Sequence, residues 1–202
     1  MKNKVFKIFG IVLLVIGISM VGYGIHNKVK TNNKQKEMIE NFESALNHIK
    51  DSNNETTKEN KKQEDKKEEE IPLTDDVIAI MEIPKIKLQV AVKEGTEMDR
   101  LNYAVGHFKN TAMPGKKGNF AVAGHRNYTT GEFFLNVHKL TDKDEIKVRT
   151  HENTYIYTVS GMEVVNEDAL EVLNPTEDAT ITLVTCTEDG KQRLIVRGKL
   201  KE

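Results

Sequence analysis

The chain carries one cysteine, Cys186, at the end of the apolar run ATITLVTC. A lone thiol forms no internal disulfide and excludes a Cys₂ or Cys₄ zinc site. It is either an inert buried hydrophobe or, as thiolate, a nucleophile. A nucleophilic thiol needs a partner that moves protons. Six histidines are available. His26 and His48 precede the strand-patterned region, His138 and His151 lie in polar segments, and His107 follows a predicted helical turn. His125 follows NFAVAG, a strand ending in glycine, so the chain delivers it to a strand end, 61 residues before Cys186.

A cation is placed beside the thiol by turn chemistry. In extended geometry Thr182, Val184 and Cys186 share one strand face, and Ile181, Leu183 and Thr185 share the other. Asp189-Gly190 is the dipeptide preferred by a two-residue type I′ turn, with φ > 0 at both positions. That turn pairs Cys186 with Arg193, roughly 5 Å apart at Cβ. Arg197 falls opposite Thr182, about 13 Å further along.

The elements that must hold these residues occupy the C-terminal two thirds. From Ile71 the hydrophobic pattern has a period of two. It predicts strands over 77–81, 88–92, 119–123, 145–150, 154–165, 179–185 and 193–200, with short helical turns over 97–105 and 132–140. Seven or more short strands with few helices predict a mainly β fold, a closed or nearly closed barrel.

The first third reads differently. Residues 8–25 carry no charge over 18 positions. As a helix they would span roughly 27 Å, close to the hydrocarbon thickness of a bilayer. No small-residue cleavage site follows, so the segment is predicted to be an uncleaved transmembrane signal anchor after a basic N-terminus, 1–7. Lysines flank both sides, so charge does not set its orientation. Residues 26–71 are predicted to be a polar spacer. Within 51–70, thirteen of twenty residues are charged. In 33–50, Met38, Ile39, Phe42, Ala45, Leu46 and Ile49 recur at helical spacing. This predicts a short amphipathic helix resting on the membrane or on the domain, with a dimerising coiled coil as the alternative. The core is expected to begin near Ile71, leaving residues 1–70 dispensable for folding. A formal net charge of −1 gives no basic excess for nucleic acid.

TLVTC at 182–186 resembles the TLxTC signature of sortases, membrane-anchored cysteine transpeptidases of Gram-positive bacteria. NFAVAGHRN places His125 where that family has a histidine, and RLIVRG places Arg193 where it has an arginine. The stretch GHFKNTAMPGKKGNFAVAGHRN looks most like class D, with class A the nearest alternative. IPLTDDVIAIM lacks the Asp-Pro-aromatic lid usual in pilus sortases.

The resemblance implies a sortase-like closed barrel of about eight strands over 72–202. It implies catalysis by Cys186, His125 and Arg193, with substrate contacts from Thr185 and from Val184 and Ile195 on the thiol's strand face. The reaction implied is cleavage of an LPxTG-like sorting signal between Thr and Gly, and acyl transfer to a peptidoglycan-precursor amine. The barrel would face outward from the cell membrane. The chemistry needs no cofactor or metal, and the carboxylates show no EF-hand-like spacing. The alternatives are a membrane-tethered hydrolytic cysteine peptidase and a catalytically silent binding module.

Overall fold

A computed structural model describes residues 2–55, 76–126 and 132–201. The charged run from 56 to 70 and Ile71, the predicted start of the core, lie outside the described residues.

Eight strands close a barrel: β1 Val77–Ile83, β2 Leu88–Glu94, β3 Val105–His107, β4 Gly118–Ala123, β5 Glu145–Arg149, β6 Thr154–Asn166, β7 Ala179–Cys186 and β8 Gln192–Leu200. The strand order is β1-β2-β3-β4-β7-β8-β6-β5. Two pairs, β2–β3 and β4–β7, are parallel. The seven strands expected from the sequence are all present. The eighth, β3, has three residues, too few for a period-two pattern to register. The segment predicted as one helical turn over 97–105 splits into a short helix, Met98–Leu101, and the start of β3. Alternate residues point inward. Phe120, Val122, Ile181, Leu183, Leu194 and Val196 lie in the main core with Tyr157 and Phe134. Thr182, Val184, Cys186, Arg193 and Ile195 therefore belong to the outer face.

The first third departs from the expectation. One helix, α1, runs without a break from Lys2 to Glu55. The side chains of 8–25 are exposed on it. Beyond them α1 lies on the barrel, within the first part of the expected spacer. Met38, Phe42 and Leu46 form a second core with Val77, Ile80, Ala91 and Ala104. Their i, i+4, i+8 spacing puts all three on one helix face. Gln35 is buried between α1 and the sheet. Its Oε1 accepts from the Ala91 N–H at 3.0 Å, and its amide donates to the Tyr103 carbonyl. Ala91 lies one residue before the β2–β3 pairing begins, so the glutamine stands in for a missing ladder partner. Arg149 pairs with Glu43 at 2.8 Å, and Lys28 with Glu132 at 3.0 Å. The amphipathic stretch thus rests on the domain, as part of a longer helix.

Residues 31–46 pack on the barrel, so a chain lacking them would expose Val77, Ile80, Ala91 and Ala104. Phe42→Ala removes the most buried side chain of the α1 face and should lower stability by about 3 kcal/mol. Urea unfolding of the full chain in detergent measures this.

Candidate active site

Strand β4 lies parallel to β7, with Gly118↔Ala179 through Ala123↔Val184 in register. The offset of this ladder is the 61 residues that separate His125 from Cys186. Continuing it by two positions brings the two side by side at the same end of the barrel. Two hydrogen bonds carry the pairing past the last ladder residue. The Gly124 N–H donates to the Val184 carbonyl at 3.1 Å, and the Thr185 hydroxyl donates to the Gly124 carbonyl at 2.7 Å. Thr185 points inward and is 3% exposed. It ties the residue before the histidine to the residue before the cysteine.

Gly124 is glycine because nothing larger fits. A Cβ there would come within 2.7 Å of the Phe134 ring and 2.8 Å of Val105. The same Phe134 donates its backbone N–H to the His125 carbonyl at 3.0 Å. A one-turn helix over Glu132–Phe134 thus fixes the histidine backbone from the other side.

His125 and Cys186 line one cavity of about 710 Å³, together with Arg126, Leu135, Asn136, His138, Lys139, Thr187, Glu188 and Gly190. The His125 Nε2 is buried and has no hydrogen-bond partner among the described residues. Partial burial pushes the imidazole below the ordinary histidine range, because desolvation disfavours the cation. Cys186 is half-buried, accessible to a ligand in the cavity.

The arginine argument holds in its register and fails in its turn type. Cys186 pairs with Arg193, Val184 with Ile195 and Thr182 with Arg197. The connection is not the two-residue type I′ turn. Thr187 N–H donates to the Gln192 carbonyl at 3.0 Å, and Gly190 N–H to the Thr187 carbonyl at 3.0 Å. Four residues, 188–191, form the loop, and within it only Gly190 takes positive φ, 75°. Asp189 acts through its side chain instead, accepting from the Thr187 hydroxyl at 2.6 Å and the Lys191 N–H at 3.2 Å. The Thr187 hydroxyl holds the Asp189 carboxyl below its ordinary range. A four-residue loop centred between the same two positions leaves the cross-strand pairing unchanged.

The Arg193 guanidinium does not line the cavity. Nη2 pairs with Glu167 at 3.3 Å, and Nη1 donates to the Gln192 carbonyl at 3.1 Å. Arg197 is committed to Glu163 at 2.9 Å. Val184 and Ile195 share the thiol's face without lining the cavity, and Ile195 is fully buried. Thr185, expected to donate to a substrate, spends its hydroxyl on Gly124. The lining from 135 to 139 escaped the sequence reading, because it is brought in through Phe134 and carries no motif. Among the described residues, no three of His, Cys, Asp and Glu converge as metal ligands.

A thiol beside an imidazole with an open nitrogen, next to a strand that supplies an arginine, suits acyl transfer. Comparison with known proteins agrees. The family model described as "Sortase domain" matches residues 81–201. Sortase A of Bacillus anthracis is 29% identical over 98% of this chain and 96% of its own length. Sortase D of Bacillus subtilis is 26% identical over 96% of this chain and 98% of its own. The solved structure of a Clostridium perfringens Sortase D5 transpeptidase superposes with a TM-score of 0.65 at 35% identity, covering 85% of this chain and 98% of that one.

Two outcomes test the geometry. Gly124→Ala should destabilise the fold by about 1–3 kcal/mol through overpacking against Phe134, read by urea unfolding. An NMR titration should place His125 below the ordinary histidine value. The unfolded chain then binds the proton more readily, so this group's contribution to stability falls as pH drops through the ordinary histidine range. A midpoint at or above that range contradicts the burial.

Proposed function

The chain belongs to the sortase family of cysteine transpeptidases, and from that premise we propose that Cys186 is its nucleophile, His125 its acid and base, and Arg193 its oxyanion or substrate-backbone donor. The observation that carries this is the β4–β7 register, which brings His125 and Cys186 to one cavity. The substrate is an LPxTG-like sorting signal. The Cys186 Sγ attacks the Thr carbonyl carbon, the Thr–Gly bond breaks, and a thioester forms. His125, as imidazolium, gives the departing glycine amine its proton. As neutral imidazole it then takes one from the incoming peptidoglycan-precursor amine, which attacks the thioester; the C–S bond breaks and the Cys186 thiolate leaves beside the regenerated imidazolium.

Burial favours the neutral imidazole, so the cation that protonates the leaving amine is a minor form, stabilised as negative charge develops beside it. Arg193 is parked on an exposed Glu167, a contact typically worth about 0.2–1 kcal/mol. Turning the guanidinium toward a bound acyl group therefore costs little. Its planar fork then holds two acceptors at once, which an ammonium does not. The segment 8–25 anchors the enzyme in the cell membrane, and the barrel faces outward, where sorting signal and cell-wall precursor meet. The stretch before His125 and the likeness to the Sortase D5 structure support class D, with class A the alternative.

Incubation with an LPxTG-like peptide and an amine separates this reading from its alternatives. A sortase yields the amide, a hydrolytic peptidase only the free acid, and a silent module neither. Cys186→Ala should abolish cleavage with the barrel folded. His125→Ala should cost about 10²–10⁴-fold in rate. Arg193→Lys should cost over about tenfold through loss of the fork, while Arg197→Lys should change the rate less than about threefold. Cleavage by Cys186→Ala at a tenth of the original rate would remove Cys186 from the mechanism.

A further inference from the structure

We propose that α1 holds the mouth of the catalytic cavity against the headgroup layer of the bilayer, so that the acidic lipid surface is itself a docking partner of this domain. The proposal rests on the reading of 8–25 as the membrane anchor, and on three independent observations.

The first is that α1 is unbroken from the apolar stretch onto the barrel. Position along it therefore measures height above the membrane at 1.5 Å per residue. Lys28 stands three residues after Ile25, or about 4.5 Å higher. It is bonded to Glu132, at the start of the one-turn helix that fixes the His125 backbone. Glu43, which holds Arg149 at the end of β5, stands about 22 Å above Lys28. Phe42 packs on His151 at the same upper level, with ring centroids 4.1 Å apart. A helix tilt of about 20° lowers these heights by under a tenth.

The second is the continuity of the two cavities. Ile86, Leu88, Glu132 and Asn136 line a cavity with Lys28 and Asn32 of α1. Asn136 lines both this cavity and the catalytic one, so the two adjoin. The Glu132–Phe134 helix that Lys28 holds also binds the His125 backbone, and the β4–β7 register keeps Cys186 beside that histidine.

The third is charge. The lower mouth presents Arg126, His138 and Lys139 against one carboxylate, Glu188. Among the described residues no carboxylate pairs with Arg126 or Lys139. Cations at this height lie within reach of acidic lipid headgroups. A site so placed opens sideways to reactants that are themselves held in the membrane.

The test uses the full chain in nanodiscs of phosphatidylglycerol and phosphatidylcholine with a quencher on the headgroups. In a Cys186→Ala background, a dye is attached through Lys139→Cys or Glu152→Cys, both exposed positions. Quenching should be about threefold or more stronger at 139 than at 152, given the ~20 Å difference in height. Equal quenching, or stronger quenching at 152, overturns the proposal. Asn27→Pro breaks α1 between anchor and barrel, and should shrink the difference at least about twofold. An undiminished difference would overturn the role given to the helix. Hydrogen exchange on the unmodified chain avoids label effects: moving from detergent to nanodiscs should slow residues 132–140 more than 150–154, and the reverse order counts against docking. Extraction of the chain from membranes by alkaline carbonate would defeat the anchor reading itself, and is scored separately.

Discussion

Everything at the site depends on one lateral constraint, the parallel pairing of β4 with β7 and its extension by the Thr185 and Gly124 hydrogen bonds. Parallel strands keep one register along their length, so a fixed offset in sequence becomes a fixed adjacency in space. The Thr185 hydroxyl is buried and its bond to the Gly124 carbonyl is internal. Loss of that donor would strand a carbonyl away from water, an outcome costlier than the bond's own net contribution. The barrel interior thereby fixes the backbone on which two outer-face side chains stand. The absence of a Cβ at Gly124 lets Phe134 close over this junction, and Phe134 in turn holds the histidine backbone.

Helix α1, which carries the candidate membrane span, is continuous with this arrangement and not merely attached to it. Its apolar face covers Val77, Ile80, Ala91 and Ala104, and Gln35 supplies the ladder partner that β3 is too short to give. A chain segment that would otherwise be a tether becomes a strut. The placement of the barrel on α1 is then set by side-chain packing and by two ion pairs, at Lys28 and Glu43.

Much of the site was legible in the sequence because its determinants are local or periodic. Strand alternation put Cys186 and Thr185 on opposite faces, and the core packing of Ile181 and Leu183 makes these the outer and the inner one. The Cys186–Arg193 pairing survived an error in turn type, because the actual loop closes around the same midpoint. Asp189-Gly190 misled because aspartate also serves turns through its side chain. What stayed hidden depended on contacts distant in sequence. The seat of Met38 and Phe42 lies 35 or more residues downstream, and no pattern in 26–50 names it. The cavity wall from Leu135 to Lys139 has no motif, and enters only because Phe134 binds back to His125. The direction of the Arg193 guanidinium is set by Glu167, 26 residues upstream, across β6 and its following loop.

The central claim is that the Thr185–Gly124 tie aligns histidine and cysteine for acyl transfer. The rate of thioester formation with an LPxTG-like peptide, followed by intact-protein mass spectrometry, addresses it directly when compared among the native chain, Thr185→Val and Thr185→Ser. The account predicts that the valine variant, still folded, acylates at least about tenfold more slowly, and that serine, which keeps the hydroxyl donor, restores most of the rate. A folded Thr185→Val chain that acylates as fast as the native one would contradict it.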